Sequence, residues 1–453
     1  MIKKENATIF DTIKARDVEL VRFLYCGGTD NKIRGKSVHA AKLDSYLNTG
    51  VAHPWALLCF NMFDLPIPSR TFTSVGEVRI VPDPGTFALI PYLPRTAYMF
   101  SDLTKLDGTP WELCPRWFLK RMIDKAAAKG LLVRAAFENE FYLTRKSANG
   151  YEPLDDSHCY TSIGMDNAHE TVIDIIDALH EQRIQVEQYY PEYGGGQQEL
   201  TVEHDEALRA ADKQLAFRET VRGVALRHGL HATFAPVPFQ GRAGNGAHIH
   251  LSVWDRRARN NVFADPNRQY WLSQEGRLFI GGVLKHIRGL LALTASSVNS
   301  YRRLQPERLS SGYACYGPDN REASVRIASP FRGRESESIN LEFRPSDPSA
   351  NPYIALGGLI AAGLDGMEHE IDPGEPLLQD PSWLSEEERG DKGIRRYPTS
   401  LDEALNELEK DSCLVEALGP VFAREYLLLK RADCELFKDN DAAYEIDVHF
   451  YRY

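Results

Sequence analysis

No stretch of this 453-residue chain approaches the roughly 20 consecutive apolar residues that a membrane-crossing helix needs, so no membrane partner is expected. The segment Met1-Ile2-Lys3-Lys4-Glu5-Asn6 is not followed by the apolar core of a secretory signal. Cysteine is sparse and scattered: seven residues, none in a Cys-x-x-Cys pair. An odd, dispersed set argues against a disulfide framework and predicts reduced core thiols in a cytoplasmic protein. No long basic run appears and the formal net charge is −11, which argues against nucleic acid as a partner. No Gly-x-x-x-x-Gly-Lys-Ser/Thr loop is present, so P-loop nucleotide chemistry is excluded. Internal repeats and low-complexity segments are also missing. What remains is ordinary globular composition, 43% hydrophobic and 26% charged, with enough chain for a large core in two domains.

Local patterns predict a small, mainly β unit up to about residue 102, followed by a connector at Asp107-Gly108-Thr109-Pro110. It holds a helix over 8–22, a strand Val21–Cys26, an apolar strand over 55–63, and a hairpin of Val78–Val81 with Thr86–Ile90 around Pro82-Asp83-Pro84-Gly85. From 107 to 453 helices alternate with strands. Helices are predicted over Pro115–Lys129, Asn167–Gln182 (Asn167 as cap), Asp205–His228 (closed by Gly229), Glu275–Leu293, from Asn351-Pro352 to Leu364, Leu401–Leu418 and Ala423–Phe437. The class is α+β, with helices around a largely antiparallel sheet.

Five of the predicted strands carry their chemistry on one face: Phe137–Leu143, Gln197–Val202, Ala247–Val253, Ala323–Ala328 and Asn340–Arg344. Side chains alternate along a strand. Glu138 and Glu140 therefore oppose Phe137 and Phe141, and His248, His250 and Ser252 oppose Ile249, Leu251 and Val253. Glu342 and Arg344 oppose Leu341 and Phe343, and Arg326 opposes Val325 and Ile327. A lone Glu-x-Glu or His-x-His in a strand is ordinarily a solvated edge, and Gly194-Gly195-Gly196 alone reads as a loop. Gathered together, the carboxylates cannot be buried without counter-charge. Glu138, Glu140, Glu192, Glu199, His248 and Glu342 make an oxygen-rich set with one nitrogen, suited to Mg²⁺ or Mn²⁺. Arg303, Arg321, Arg326 and Arg344 suit phosphates and a carboxylate. The implied chemistry is phosphoryl transfer from a nucleotide to an acid.

These residues resemble the glutamine synthetase family over essentially the whole chain. The resemblance rests on Phe137-Glu138-Asn139-Glu140-Phe141, on Glu192-Tyr193-Gly194-Gly195-Gly196-Gln197-Gln198-Glu199, and on Gly244-Asn245-Gly246-Ala247-His248-Ile249-His250. It continues in Asn299-Ser300-Tyr301-Arg302-Arg303-Leu304, Asn320-Arg321, and Glu342-Phe343-Arg344 with Asn351-Pro352-Tyr353. It implies an N-terminal β-grasp domain over 1–106 and, over 107–453, a catalytic domain with a curved antiparallel sheet surrounded by helices. It also implies an ATP-dependent ligase that forms γ-glutamyl phosphate from L-glutamate and ATP and then joins an amine. Two or three Mg²⁺ or Mn²⁺ ions per site would be held, one by Glu140, Glu192 and Glu199 and another by Glu138, His248 and Glu342. Gly244, Arg303 and Arg344 would hold glutamate, and Arg321 and Arg326 the transferring phosphate. Glu187, His250 and Ser252 would contact nucleotide. Family members form ring-shaped homo-oligomers with shared sites, here expected as a dodecamer, and Asp64 is the acid expected to reach a neighbour's site.

The chain departs from the family around the amine. The glutamate that binds ammonium in the flap is replaced, counting from Arg303, by Leu309, with Glu307 nearby as a substitute. An arginine pair before the Glu342 strand is missing, with Ile339 and Asn340 in its place and Arg332 or Arg334 as alternatives. The tyrosine adenylylated in some members is replaced by Trp383. Leucine neither accepts a proton nor pairs with a cation. An organic amine is therefore expected in place of ammonia. The alternatives are a true glutamine synthetase with a rearranged flap and a non-catalytic structural homologue. A guanidino kinase, which shares the catalytic fold, fits the Asn-Ser-Tyr and Asn-Pro-Tyr blocks poorly.

Overall fold

The computed structural model describes residues 2–28, 31–148 and 150–453. Its strands fall into two sheets. The first is built from β1 (Leu20–Cys26), β2 (Ile33–His39), β3 (Val51–Pro54), β4 (Glu77–Pro82), β5 (Ala88–Leu89) and β6 (Thr96–Thr104), in the order β2-β1-β6-β4-β3 with β5 beside β6. β1 runs parallel to β6 and antiparallel to β2. Alternation explains its placement: Val21, Phe23 and Tyr25 are buried, whereas Arg22 and Leu24 are only partly covered.

Three expectations for this unit are corrected, the first being the helix over 8–22, which instead runs Ile2–Ala15 and leaves Leu20–Arg22 to β1. Residues 55–63 do not form a strand. Trp55–Leu58 is a 3-10 turn, and Asn61 then accepts hydrogen bonds from the N–H groups of Phe63 and Leu65 at 2.9 and 3.0 Å. That side chain competes with ladder pairing, while Cys59 and Met62 still bury their apolar groups. Nor do 78–81 and 86–90 form a hairpin. Asp83 caps a 3-10 turn at Pro84–Thr86, and β4 and β5 each pair with β6 instead.

The second sheet comprises β7 (Leu131–Ser147), β8 (Gly150–Pro153), β9 (Val186–Pro191), β10 (Gln197–Val202), β11 (Asp205–Glu206), β12 (His231–Thr233), β13 (Ala247–Asp255), β14 (Tyr313–Pro318), β15 (Ala323–Ile327), β16 (Leu341–Phe343) and β17 (Arg395–Arg396). Its order is β17-β14-β15-β16-β13-β7-β10-β9, antiparallel except for β14 with β15. Helices Pro115–Ala128, Gln274–Thr294 and Pro352–Glu368 supply much of the core behind it. The last two meet backbone to backbone at Gly282 and Gly366. A Cβ on Gly282 would stand 2.1 Å from Ala362 O and 2.5 Å from Gly366 N, so only glycine permits the approach. Asn351 caps the last of these helices as predicted, accepting from the Tyr353 N–H at 3.0 Å, with Pro352 in its first turn.

Other helix ends differ from expectation. Asn167 lies inside Ser162–Glu181, whose cap position is Thr161. The stretch 401–418 divides into Leu401–Lys410 and Ser412–Leu418 because Asp411 caps the second piece. A final helix, Ala442–Arg452, capped by Asp441, follows the last one expected.

The two sheets are tied by Arg116, only 2% exposed. Its guanidinium meets Asp83 at 2.7 Å and Asp102 at 3.1 Å from the first unit, and Asp212 at 3.0 Å from the helix Ala207–Arg227. None of the seven cysteines forms a disulfide. No helix among the described residues is long and apolar enough to cross a membrane.

Candidate active site

The polar faces of β7, β10, β13, β15 and β16 turn toward one cavity of about 1150 Å³. Register does the assembling: His248 lies opposite Glu138, Glu199 opposite Glu140, and Glu342 opposite both His250 and Arg326. Directly opposed residues share a face, so residues far apart in sequence converge. The cavity is lined by Glu138, Glu140, Glu192, Glu199 and His248, by Gly244, Arg303 and Arg344, by Arg321 and Arg326, by Glu187, His250 and Ser252, and by Leu309. Of the predicted site residues only Glu342 and Asp64 do not line it. Glu342 lies just beneath, 1% exposed and in contact with His248, Arg326 and Arg344. Asp64 stays on the first unit, paired with Lys32 at 3.2 Å and Arg34 at 2.5 Å.

Glu138, His248 and Glu342 each offer a ligating atom within 4.8 Å of the others. His248 Nδ1 is buried without a hydrogen-bond partner among the described residues, 3.3 Å from Glu342 Oε1. Burial, reinforced by the Arg344 charge, lowers the His248 pKa to about 3, so the ring is neutral and its lone pair is available. A neutral imidazole facing two carboxylates fits a divalent cation that accepts oxygen and nitrogen.

The other carboxylates are held by protons and donors. Burial and then the neighbouring Glu192 raise Glu140 to about 7, although the Gly246 N–H donates to it at 2.9 Å. Gln197 Nε2 adds a second donor to Glu140 at 3.2 Å. Burial and a hydrogen bond with Glu138 push Glu199 well above the usual carboxylate range. Glu138 moves the other way: burial opposes its charge, but hydrogen bonds from Glu199 and His250 outweigh it. His250 is raised to about 9, because its 2.6 Å bond to Glu138 overcomes burial. Its other nitrogen meets Asn340 Oδ1 at 2.8 Å, and Ser252 accepts from Trp254 Nε1 at 2.9 Å.

The arginines form a second layer. Arg326 Nε stands 2.6 Å from Glu342 Oε2. Arg344 spends its donors on Glu342, on Arg321 O at 2.8 Å and on Leu309 O at 2.7 Å. Arg303 donates to Ser346 O at 2.8 Å, and its buried Nε has no acceptor among the described residues. Gly244 is a glycine for a local reason: a Cβ there would meet Pro236 O at 2.3 Å and the Arg303 side chain at 2.9 Å. Of the two arginines suggested for the missing pair, Arg334 lines the cavity and Arg332 does not. Glu307 and Leu309 both line it.

Sequence reasoning missed the tyrosines. Tyr190 donates to Glu199, and also to Glu138 at 3.4 Å, while Tyr160 donates to Glu192 at 3.3 Å. A signal for Tyr190 existed: it stands two residues before Glu192 in an extended stretch and so shares its face. Tyr160 lies in a loop and carries no such signal. A second group with metal-ligand chemistry, His286, Asp411 and Cys413, lies apart among helices. There both ring nitrogens of His286 are bonded to carboxylates, Asp411 at 2.7 Å and Asp365 at 2.9 Å, which makes it an ion triad.

Comparison with known proteins supports the same picture. Residues 5–111 match the family model described as glutamine synthetase N-terminal domain, and residues 112–449 match glutamine synthetase, catalytic domain. The chain is 33% identical over 435 residues to type-1 glutamine synthetase 1 of Dictyostelium discoideum, covering 90% of this chain and 85% of that protein. It is 34% identical over 394 residues to a gamma-glutamylpolyamine synthetase of Streptomyces coelicolor, covering 86% and 84%. A crystal structure described as a novel glutamine synthase homolog superposes with a TM-score of 0.86 at 31% identity, covering 96% of this chain and 99% of that one. The ADP complex of GmaS superposes with a TM-score of 0.84 at 28% identity, covering 96% and 97%.

Proposed function

This chain belongs to the glutamine synthetase family of ATP-dependent ligases, and from that premise we propose that it joins an organic amine to the γ-carboxyl of L-glutamate. The observation that carries the reading is Leu309 on the wall of a cavity that Glu138, Glu140, Glu192, Glu199, His248, Arg303 and Arg344 also line. One relative acts on polyamines by its name and others are named for glutamine, so this family serves more than one amine.

In the proposed reaction a γ-carboxylate oxygen of glutamate attacks the γ-phosphorus of ATP and the bond to ADP breaks. The amine nitrogen then attacks the resulting acyl carbon, phosphate leaves, and the amine loses a proton. Arg303, Arg344 and the Gly244 backbone hold glutamate. Arg321 and Arg326 steady the phosphoryl group as charge develops on it. Glu187, His250 and Ser252 face the nucleotide. Glu138, His248 and Glu342 would hold one Mg²⁺ or Mn²⁺, and Glu140, Glu192 and Glu199 another. Such ions supply charge neutralisation for the phosphates when bound. Asp64 does not reach its own cavity, and we assign it to a neighbour's site in a ring-shaped homo-oligomer, a dodecamer in this reading. The protein is proposed to act in the cytoplasm, with its first domain ending near 106.

Leucine at this position offers no group to hold ammonium or take its proton. It does offer apolar contact, worth about 0.8 kcal/mol per buried methylene of the amine. A second reading, a true glutamine synthetase, is favoured by Glu307 on the same wall. Phosphate release with glutamate, ATP and a panel of amines separates the two. An alkyl or aromatic amine should exceed ammonia in kcat/KM, and Leu309→Glu should narrow or reverse the gap. Ammonia as the best substrate, with a ranking that the substitution leaves alone, would establish the glutamine synthetase.

A further inference from the structure

The segment 305–312 that carries Leu309 is strained. Glu307, Leu309 and Ser311, none of them glycine, take φ of +60°, +54° and +68°. Left-handed backbone at three alternate non-glycine residues persists only where surrounding contacts over-determine it. Its ends are secured by side chains: Ser310 Oγ donates to Arg303 O at 2.6 Å, Ser311 pairs with the Tyr397 hydroxyl at 2.8 Å, and Arg396 donates to Gly312 O at 2.6 Å. The tip is held differently. The Leu309 N–H donates to Glu322 Oε1 at 2.6 Å, and the Leu309 carbonyl accepts from Arg344 Nη2 at 2.7 Å.

Glu322 does not line the cavity and takes no part in the chemistry described above. It is 6% exposed, and its Oε2 is buried with no hydrogen-bond donor among the described residues. A buried carboxylate so thinly supported is costly to keep. Its base is rigid: Asn320 accepts from the Glu322 N–H at 3.0 Å and ties the turn to Leu377 O and Gln379 O, while Arg344 donates to Arg321 O.

We propose that Glu322 is the positioning residue of the amine site: with Arg344 it clamps the Leu309 peptide from both sides and so fixes the apolar wall against which amines are discriminated. This inference rests on the organic-amine reading and names the residue that enforces it. The clamp acts through backbone, so its effect falls on the amine and not on ATP. Because Arg344 also faces glutamate, the wall is anchored to the group that holds the acceptor.

The test uses the full-length protein with Glu322→Ala and Glu322→Gln. The glutamine variant keeps one oxygen for the Leu309 N–H and is the conservative control. Loss of a hydrogen bond to a charged group should raise the KM for the preferred amine about tenfold to a hundredfold in Glu322→Ala, flattening the ranking of amines while the ATP KM stays put. Glu322→Gln should retain the ranking. Hydrogen exchange at the Leu309 amide, measured without substrates, should accelerate in Glu322→Ala by a similar factor and change little in Glu322→Gln. A uniform fall in kcat across all amines with the ranking preserved would overturn the proposal, as would unchanged exchange at Leu309. Should the wild type prefer ammonia, the organic-amine reading fails while the exchange measurement still decides whether Glu322 clamps the loop. Should Glu322→Ala fail to fold, Glu322→Asp, whose shorter side chain withdraws the acceptor, takes its place under the same two outcomes.

Discussion

Replacing Arg344 by alanine should raise the requirement for glutamate far more than that for ATP. A guanidinium has five N–H donors. In this structure three go to protein oxygens, on Glu342, Arg321 and Leu309, which leaves donors for one carboxylate. A charge-assisted interaction of this kind contributes roughly 1.5–3 kcal/mol, which is about tenfold to a hundredfold in the KM for glutamate. The substitution has a second consequence of opposite sign. It removes a cation beside Glu342, so the metal-binding carboxylates lose a competitor and the Mg²⁺ concentration needed for half-activity should not rise. The assay is steady-state phosphate release with glutamate, ATP and Mg²⁺ varied in turn, on protein first shown to fold and assemble like wild type. Burial makes that control necessary, since breaking a buried pair costs about 3–5 kcal/mol of stability. Arg344→Lys, which keeps the charge but not the fork, should fall between. An unchanged KM for glutamate, or a raised Mg²⁺ requirement, would refute the assignment.

Activity should require Mg²⁺ or Mn²⁺, and Glu140→Ala and Glu342→Ala should each abolish phosphate release; full activity in EDTA or in either variant contradicts the metal assignment. A dissociated monomer, identified by light scattering, should be inactive. Co-assembled Asp64→Ala and Glu342→Ala subunits should recover activity that neither has alone, and failure to recover it in mixed particles removes Asp64 from the shared site. The His286 triad should make stability depend on pH at the alkaline end. Burial opposes its charge, but Asp411, Cys413 and Asp365 raise it from 6.5 to about 10. Its contribution is therefore complete below pH 6.5 and lost as pH rises toward 10. Partial burial opposes the charge of Asp365 too, yet His286 and Lys285 lower it from 3.8 to about 2, so its share is lost only as pH falls below 3.8. Thermal melts of His286→Gln should accordingly fall less between pH 6.5 and 10 than those of wild type, and parallel curves would dismiss the triad.

The strand-borne part of the candidate site is legible from alternation, while Gly244, Arg303, Arg321, Leu309 and the role of each residue rest on the resemblance. Strands with one polar and one apolar face announce both their burial and their chemistry, and alternation alone puts Glu138, His248, Arg326 and Glu342 on the polar faces of their strands. Periodicity failed where side chains override the backbone. The apolar run 55–63 looked like a strand, but Asn61 turned it into a loop, and Asp83 did the same to the supposed hairpin. Asp411 cut a helix that its apolar pattern had joined. The donors to the carboxylates, Tyr160 above all, depend on loop paths with no period to read. Glu322 was invisible for a different reason: its partner is a backbone N–H, and no residue type signals that.

Arg116 carries a lesson for anyone recombining this chain with its relatives. Two of its acids, Asp83 and Asp102, come from the first unit, while Arg116 itself and Asp212 come from the second. A crossover near residue 106 parts the lock from its key. A foreign first unit lacking either acid would leave the guanidinium buried and under-paired, and a foreign second unit lacking the arginine would leave acids facing one another. Grafts must therefore exchange all four residues as a set. The first unit travels between scaffolds only with its matching socket.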